Sequence, residues 1–270
     1  MNFSTKVQMS YEYTNKKFIF KHEVKTAHFI GIGGIGMSAL AQWFLSQNWA
    51  VSGSDISPNE STRSLEKLGV AVKFEHKKGN IPEGCALVIY TQAIRPKNPE
   101  LKEARRRNIT ALSYPEAVSK LTESYKTIAV AGAHGKSTTT ALVSLIFMKA
   151  GLDPTVIVGT KLKEFDGGNF RKGKSDYLVL EADEYGGAFL HYSPTFSVVT
   201  NIDTEHLDFY KNLKNIKKSF LDFFSRTKPP AGGDGALILN KDSKILFLLK
   251  PAIEKIAKKN HLRVHWYSLR

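Results

Sequence analysis

Residues 126–151 read KTIAVAGAHGKSTTTALVSLIFMKAG and place an apolar run, a glycine-bounded turn and a longer apolar segment in succession. This order predicts a buried strand, a phosphate-binding turn that starts at Gly132, and a helix that ends at Gly151. Backbone N–H groups at such a turn point toward a bound phosphate, and the positive end of the helix dipole strengthens the attraction. The stretch therefore predicts a site for a nucleoside triphosphate inside an α/β fold.

The Gly-Lys-Ser of this turn supplies the side chains that a triphosphate site needs. Lys136 can reach the β- and γ-phosphates, and the Ser137 hydroxyl can bind Mg²⁺. The usual P-loop spacing would place its first glycine at position 130, where this chain has Val130. The match is therefore to a shortened variant of the loop, in which Gly132 makes the turn.

Polar residues follow two further apolar runs, DYLVLEADE and FSVVTNID, which are typical of buried parallel strands. Because the carboxyl ends of parallel strands meet at one edge of a sheet, these polar side chains are candidate metal ligands beside the triphosphate. Oxygen donors suit Mg²⁺, and the alternative is that the carboxylates only cap helices or lie on the surface. The candidates are Glu181, Asp183, Glu184, Asn201, Asp203, Glu205, His206 and Asp208.

A second glycine-rich turn lies earlier in the chain, in HFIGIGGIGMSALAQWFLSQNWAVSGSD over residues 28–55. Gly31, Gly33 and Gly36 have the Gly-x-Gly-x-x-Gly spacing after a predicted strand, and Asp55 follows about twenty positions later. A dinucleotide-binding fingerprint looks like this, so the turn alone leaves open a nicotinamide dehydrogenase or a site for another nucleotide. The predicted triphosphate loop favours another nucleotide.

Strands and helices alternate along most of the chain, which predicts an α/β protein with parallel sheets and crossover helices. We divide it into an N-terminal extension over 1–26, a Rossmann-like parallel-sheet domain over 27–122 and a P-loop-type α/β central ATPase domain over 123–270. The extension has no signal-peptide pattern, and we expect it to be loosely ordered. We expect the last helical pattern to break near Pro251.

The composition narrows the class of protein. With 42% hydrophobic residues the 270-residue chain can bury a core, and no apolar run reaches the roughly eighteen residues of a membrane span. The single cysteine, Cys85, excludes an internal disulfide and predicts a reducing, cytoplasmic location. The net charge of +14 includes lysines in helical patterns near the end, which we interpret as a solvated helix face because no nucleic-acid-binding signature accompanies them. The sequence leaves the oligomeric state open.

Seven motifs carry a family resemblance: HFIGIGGIGMSALA, GSD, NPEL, AVAGAHGKSTTT, EADE, FLHYSP and VVTNIDTEHLDFY, in this order. With them the chain resembles the Mur ligases, the ATP-dependent amino-acid ligases of peptidoglycan precursor synthesis. The resemblance covers roughly residues 27–270. The set is specific as a whole, although the first glycine-rich turn alone would be a weak signal.

The resemblance implies that the N-terminal domain holds the UDP part of UDP-N-acetylmuramate and not NAD. The diphosphate would lie on Gly33, Gly34, Ile35, Gly36, Met37 and Ser38, and the nucleoside near Asp55, His76, Thr91 and Gln92. ATP would lie on Gly132, Ala133, His134, Gly135, Lys136, Ser137 and Thr138, with Asn201 nearby. Glu181 would hold Mg²⁺ together with Ser137, and His206 would serve a second Mg²⁺.

The activity that the resemblance implies is ATP-dependent ligation of L-alanine to the lactyl carboxylate of UDP-N-acetylmuramate through an acyl phosphate. Lys136, Glu181 and His206 would be the catalytic residues. Both organic partners are small molecules, and neither a nucleic acid nor a membrane is expected. The alternatives are a related ligase that attaches a preformed tripeptide, and an inactive fragment or nucleotide-binding module. A third domain of the family would follow Arg270, so we expect the central domain to be incomplete and the chain alone to bind this substrate weakly and turn over slowly.

Overall fold

The computed structural model describes residues 13–14, 17–18, 25–230 and 233–268. The predicted loosely ordered extension lies mostly outside these ranges, and the described part of it includes the short antiparallel strands β1 (Tyr13–Thr14) and β2 (Lys17–Phe18). The rest of the described chain contains two β-sheets with helices, which confirms the predicted α/β class. Among the described helices, none has the length and apolar character needed to cross a membrane.

The first unit consists of β3 (Thr26–Ile30), α1 (Ile35–Ser46), β4 (Ala50–Ser54), α2 (Glu60–Lys67), β5 (Ala71–Lys73), β6 (Cys85–Tyr90), α3 (Pro99–Arg106), β7 (Thr110–Ser113) and α4 (Tyr114–Ser124). Its five strands form a parallel sheet in the order β5-β4-β3-β6-β7. The chain therefore reverses its direction across the sheet between β3 and β6. In such sheets the ligand crevice lies at this reversal, outside the carboxyl ends of the strands.

Local signals set the ends of these helices. Asn59 and Thr62 exchange hydrogen bonds as a capping box at the start of α2. Asn98 accepts from two backbone N–H groups at the start of α3, where Pro99 occupies the first helical position. Gly69 follows α2 in the left-handed conformation, at φ +85°. The predicted helix that Gly69 closes is therefore present.

The second unit consists of β8 (Lys126–Ala131), α5 (Lys136–Lys149), β9 (Thr155–Leu162), β10 (Gly168–Arg171), β11 (Tyr177–Glu181), β12 (Phe196–Val199), α6 (Leu207–Tyr210), α7 (Leu213–Arg226), β13 (Ala236–Asn240), α8 (Lys244–Leu248), α9 (Lys250–Lys259) and β14 (Arg263–Tyr267). Short 3₁₀ turns cover 78–80 in the first unit and 163–165 and 185–191 in the second. The sheet order is β10-β9-β11-β8-β12-β13-β14, and β10 is antiparallel to β9 while the other pairs are parallel.

Strand β8 has β11 and β12 as its two neighbours. In register, Glu181 pairs with Val130 and Val199 pairs with Ala131. The core divides by the alternation of the strands: Val130 belongs to an apolar cluster that α5 covers, and Ala131 to the cluster that contains α7 and α9. Because all three strands end at the same edge, the loop after β8 meets the residues that follow β11 and β12.

The structure agrees with one further prediction and contains two elements that the sequence analysis did not predict. The helix expected to break near Pro251 is divided into α8 and α9. The hairpin of β9 and β10 was not predicted, because only the first half of β9 is a buried apolar run. Helix α4 was also not predicted, although Pro115 in its first turn and the capping box of Ser113 with Glu116 are local signals for a helix start. Since α4 runs through the predicted boundary between residues 122 and 123, the division into domains stays a prediction.

The hairpin of β9 and β10 packs on α1 and so connects the two units. Asn169 of β10, which is 4% exposed, donates from Nδ2 to the carbonyl oxygen of Ile35 at 2.6 Å. Gln42 Nε2 lies 3.5 Å from Asn169 Oδ1, and Lys161 of β9 pairs with Glu60 of α2 at 2.5 Å. Because Ile35 is the first residue of α1, the second unit holds the start of that helix directly.

We expect Asn169→Ala to lower the free energy of unfolding by about 1–3 kcal/mol, because it removes a buried hydrogen bond between the units. Urea unfolding followed by tryptophan fluorescence measures the change. Gln42→Ala is the control, since it removes two longer contacts, with Asn169 Oδ1 at 3.5 Å and with the Ser38 carbonyl oxygen at 3.3 Å, and leaves the bond from Asn169 to Ile35 in place. It should cost less. Equal stabilities of Asn169→Ala and the wild type would contradict this view of the contact.

The interior of the first unit contains a fully buried carboxylate, Glu100 at the start of α3. It accepts hydrogen bonds from Ser54 Oγ at 2.7 Å, Asn80 Nδ2 at 2.6 Å and His76 Nδ1 at 2.9 Å, and His28 Nε2 lies 3.6 Å away. Burial raises the pKa of Glu100, but the surrounding donors outweigh it and hold the pKa below the ordinary value of 4.5. The carboxylate is therefore ionised at neutral pH.

A lowered folded-state pKa stabilises the protein above the unfolded pKa of 4.5, and this stabilisation is lost as the pH falls through the folded value. We expect Glu100→Gln to be less stable than the wild type by about 1–3 kcal/mol at neutral pH. The difference should narrow as the pH falls below 4.5. Unfolding curves of both proteins at a series of pH values test this, and a difference that does not vary with pH would argue against it.

Candidate functional site

The phosphate loop occupies residues 132–135, between the end of β8 and the start of α5. Gly132 and Gly135 have φ angles of +132° and +80°, a region that L side chains rarely adopt. A Cβ atom at Gly132 would also collide with Thr200 Oγ1. The first N–H groups of α5 have no partner within the helix and form the positive end of its dipole. The loop therefore has the backbone geometry of an anion site.

Asn201, which follows β12, braces this loop. Its Oδ1 accepts from the backbone N–H of His134 and its Nδ2 donates to the carbonyl of His134, both at 2.9 Å. Thr200 Oγ1 donates to the same carbonyl at 2.6 Å, and the Ala133 N–H donates to the backbone carbonyl of Asn201 at 3.2 Å. Asn201 was predicted near the nucleotide, and the structure shows its amide engaged in shaping the loop.

Lys136 is the first residue of α5, and its ammonium turns back onto the loop. Its Nζ donates to the carbonyl oxygen of Gly132 at 2.9 Å and lies 3.1 and 3.0 Å from Oε1 and Oε2 of Glu184. Asp183 is farther from the ammonium, at 3.8 Å. Glu184 is only 3% exposed, so Lys136 compensates a buried negative charge.

A cluster of possible ligand atoms surrounds this ion pair. Burial raises the pKa of Glu184, and the Lys136 ammonium opposes that change without cancelling it. Tyr210 donates its hydroxyl to the backbone carbonyl of Glu184, and His206 Nε2 lies 3.7 Å from Glu184 Oε1. Asp183, Glu184 and His206 each offer one ligand atom, and these atoms lie within 4.8 Å of one another. The group has the donors that a divalent cation needs.

Ser137 and Glu181 form a second pair of oxygen donors next to Lys136. Ser137 Oγ donates to Glu181 Oε1 at 3.0 Å, and the backbone N–H of Gly159 donates to Glu181 Oε2 at 2.7 Å. A Cβ atom at Gly159 would come within 2.8 Å of this carboxylate, so the glycine in β9 makes room for it. The predicted pairing of Ser137 with Glu181 is thus present as a contact, while His206 lies with Glu184.

The remaining predicted polar residues form the rim of this site. The His134 side chain is 61% exposed and lies 3.5 Å from Asp203 Oδ2 and 3.4 Å from Glu205 Oε1. Thr138 is exposed in the first turn of α5, and Asp208 is exposed on α6. Negative charge therefore surrounds the entrance to the phosphate loop.

In the first unit, the glycine-rich turn joins β3 to α1. The Gly33 N–H donates to Asp55 Oδ2 at 2.7 Å, and Asn59 Nδ2 donates to the Gly33 carbonyl at 3.2 Å. Gly34 is the N-cap of α1 and provides no side-chain cap. The first N–H groups of this twelve-residue helix can therefore face an anion. Asp55, predicted near the nucleoside, already holds the turn in shape.

The first turn of α1 offers mostly backbone to a ligand. Met37 and Ser38 are buried, and Ser38 Oγ donates to the carbonyl of Ile35 at 2.9 Å. A Cβ atom at Gly36 would come within 2.6 Å of the Tyr114 hydroxyl, because α4 passes close to α1 here. Glycine at this position lets the two helices approach.

Thr91 and Gln92 follow β6 at the point where the strand order reverses. A Cβ atom at Gly31 would collide with the Thr91 methyl group, so the strand end lies against the glycine-rich turn. Gln92 lies against the second unit, because a Cβ atom at Gly186 would be 3.4 Å from its side-chain amide. Gly186 comes two residues after Glu184. The rims of the two sites therefore adjoin.

Several residues of the two sites were missed by sequence reasoning. His76, three residues after β5, was predicted near the nucleoside. Its hydrogen-bond partner Glu100 was given no role and appeared only within the motif NPEL. The role of Tyr210 depends on a tertiary contact that no local pattern shows. Gly159 could have been found from the sequence, since a glycine inside a predicted strand often marks the close approach of another group.

Two family models match the chain. The model described as the Mur ligase family, catalytic domain, matches residues 26–126, and the Mur ligase middle domain matches residues 130–270. Together they account for both units. The middle-domain match alone covers more than half of the 270 residues.

Curated relatives include two UDP-N-acetylmuramate–L-alanine ligases. The protein of Aquifex aeolicus is 40% identical over 251 residues, which are 93% of this chain and 52% of the relative. The protein of Sorangium cellulosum is 46% identical over 208 residues, which are 77% of this chain and 44% of the relative. The chain thus spans about half the length of the curated relatives it matches.

Solved structures show the same fold. The UDP-N-acetylmuramate-alanine ligase of Thermotoga maritima is 32% identical with a TM-score of 0.73, over 83% of this chain and 51% of that one. A ligase from Neisseria meningitides, named for UDP-N-acetylmuramate and L-alanyl-gamma-D-glutamyl-meso-diaminopimelate, has a TM-score of 0.76 over 90% of this chain and 78% of that one. At 23% identity the second likeness bears on the fold alone. The predicted resemblance is confirmed, and the chain belongs to the Mur ligase family.

Proposed function

We propose that the chain supplies the two nucleotide-binding units of a cytoplasmic, ATP-dependent ligase that joins L-alanine to the lactyl carboxylate of UDP-N-acetylmuramate. The first unit binds the UDP part, and the second unit binds ATP. The observation that carries the proposal is the pair of glycine turns, each at a helix N-terminus, whose rims adjoin at Gln92 and Gly186. The names of the relatives from Aquifex aeolicus and Sorangium cellulosum support the choice of reaction.

In the first step, an oxygen of the lactyl carboxylate attacks the γ-phosphorus of ATP, and ADP leaves. Both reactants are anions, so their approach needs positive charge at the point of transfer. Lys136 Nζ, which contacts Glu184 and the Gly132 carbonyl, is close enough to the loop to turn toward the γ-phosphate. Backbone N–H groups of residues 132–137 bind the other phosphates. The product is an acyl phosphate.

In the second step, the amine of L-alanine attacks the carbonyl carbon of the acyl phosphate. A tetrahedral intermediate forms, the C–O bond to phosphate breaks, and the amine loses a proton as the amide forms. The chemical work of the protein is mainly to hold the two nucleotides so that this carbon stays near the phosphate loop. Adjoining rims at Gln92 and Gly186 suit that requirement.

The donor set around the loop fits Mg²⁺. Ser137 and Glu181 provide adjacent oxygen atoms, and His206 lies with Asp183 and Glu184 in the second group of ligand atoms. Carboxylates surround Lys136, so a triphosphate that arrived without cations would be repelled. We propose Ser137, Glu181 and His206 as the ligands. Bound Mg²⁺ would offset the charge of the phosphates and of the attacking carboxylate.

The reaction predicts a strict pattern of phosphate release by the full-length protein. With ATP and Mg²⁺ present, we expect release only when both UDP-N-acetylmuramate and L-alanine are added. UDP-N-acetylmuramate is needed to form the acyl phosphate, and L-alanine is needed to displace phosphate from it. The comparison replaces L-alanine by the tripeptide L-alanyl-gamma-D-glutamyl-meso-diaminopimelate. Phosphate release with the tripeptide but not with L-alanine would favour the tripeptide ligase. Phosphate release in the absence of both amines would contradict ligase activity.

The role of Ser137 is tested by two substitutions. We expect Ser137→Ala to lower the affinity for ATP in the presence of Mg²⁺ about tenfold, which corresponds to about 1.4 kcal/mol for one lost interaction. Ser137→Thr keeps a hydroxyl and should stay close to the wild type. Calorimetric titration with and without Mg²⁺ separates the metal from the phosphate contribution. An equal loss for both variants, or a loss without Mg²⁺, would speak against the hydroxyl as a metal ligand.

A further inference from the structure

The buried carboxylate Glu100 lies where the proposed function has given it no role. It is fully buried at the start of α3, while the carboxyl ends of β4 and β5 bring Ser54 and His76 to it. Asn80 Nδ2 donates to Glu100 Oε1 at 2.6 Å, and His28 Nε2 faces the same oxygen at 3.6 Å. Oxygen Oε1 of Glu100 thus faces Asn80 and His28, and Oε2 faces His76 and Ser54.

The hydrogen bonds fix which nitrogen of His76 carries a proton. A carboxylate can only accept, so the 2.9 Å contact between His76 Nδ1 and Glu100 Oε2 requires a proton on Nδ1. Ser54 Oγ donates to Glu100 Oε2 at 2.7 Å and lies 3.1 Å from the same Nδ1. In the neutral ring, Nε2 then has a free lone pair and acts as an acceptor.

The place of His76 is one where a nucleoside can reach it. Its side chain is 18% exposed, whereas that of Glu100 is fully buried. Ser54, its other partner, directly precedes Asp55, which holds the glycine-rich turn through the Gly33 N–H. In sheets of this type the nucleoside extends from the turn across the carboxyl ends of the neighbouring strands. His76 therefore lies at the carboxyl edge of the sheet, next to the residues that hold the glycine-rich turn, with part of its side chain open to solvent.

We infer that Glu100 is a positioning residue for nucleoside recognition: it holds His76 with a proton on Nδ1 and so presents Nε2 as a hydrogen-bond acceptor to a donor group of a uridine diphosphate. This inference rests on the proposed function, because it takes the first unit as the UDP site. Uridine offers such donors as N–H on the base and as hydroxyl groups on the ribose. Glu100 acts only through His76.

Two substitutions of His76 separate the roles of its nitrogens. In His76→Asn the amide reaches only the Nδ1 position, so it can donate to Glu100 but offers nothing at the Nε2 position. In His76→Gln the amide reaches the Nε2 position, so an acceptor is kept. By calorimetric titration with UDP we expect the affinity to fall about tenfold in His76→Asn, as for the loss of one hydrogen bond, and less in His76→Gln.

The positioning role of Glu100 has a spectroscopic signature that a structural role would not give. Long-range ¹H–¹⁵N correlation spectra distinguish the two tautomers of His76. We expect the Nδ1–H form in the wild type and a mixture of tautomers in Glu100→Gln, together with weaker UDP binding. Leu101→Ala is the matched control, because Leu101 is the buried neighbour of Glu100 on the same helix. It should lose stability while keeping both the His76 tautomer and the UDP affinity.

The outcomes distinguish this inference from the proposed function. If the wild type binds no UDP, the proposed function fails, and the recognition role of His76 fails with it. If the wild type binds UDP but His76 carries its proton on Nε2, the inference alone is overturned. UDP binding by His76→Asn that equals the wild type would also overturn it. An affinity loss in Leu101→Ala as large as in Glu100→Gln would reduce Glu100 to a structural residue.

Discussion

The ion pair between Lys136 and Glu184 is the interaction on which the second site depends. An ionised carboxylate that is 3% exposed costs several kcal/mol unless a cation and hydrogen-bond donors compensate it. Lys136 does so because the loop over 132–135 turns its side chain back toward the residues after β11. In the proposed function the same ammonium turns to the γ-phosphate, and Glu184 would then need another cation. That requirement agrees with the cluster that Glu184 forms with Asp183 and His206.

Both units bury a carboxylate beside a glycine-rich turn, but they compensate it differently. Glu100 is surrounded by hydroxyl, amide and imidazole groups from several elements, and its pKa is lowered. For Glu184, the effect of burial on the pKa is larger than the opposing effect of the Lys136 ammonium, so its pKa is raised. Glu100 is therefore held in one arrangement, which suits recognition of a constant group. Glu184 depends on a lysine side chain for its compensation, which would suit a site where charge arrives and leaves with the substrate.

The sequence predicted what depends on local pattern and on the rules of parallel sheets. The turn at Gly132 and the gathering of polar strand ends follow from chain order and from the shared edge of β8, β11 and β12. The family resemblance, and not the local pattern, brought Ser137 and Glu181 together, and their side chains are in contact. What it did not predict depends on side chains from distant elements. The hairpin of β9 and β10 lacks a regular alternation, and the partner of His76 lies in another crossover helix. Asn201 was predicted near the nucleotide, but its two bonds to His134 could be known only from the loop geometry.

The hairpin of β9 and β10 links the regions of the two glycine-rich turns. At one end, Gly159 of β9 holds Glu181, which contacts Ser137 in the first turn of α5. At the other end, Asn169 of β10 holds the carbonyl of Ile35 in the first turn of α1. One two-stranded element is therefore hydrogen-bonded to the start of α1 directly and to the start of α5 through Glu181. In the proposed reaction an acyl phosphate forms between groups carried by two different nucleotides, so that reaction would require a defined separation of these helix starts. A hairpin with paired strands meets this requirement better than a flexible linker, because its length is fixed by its own hydrogen bonds.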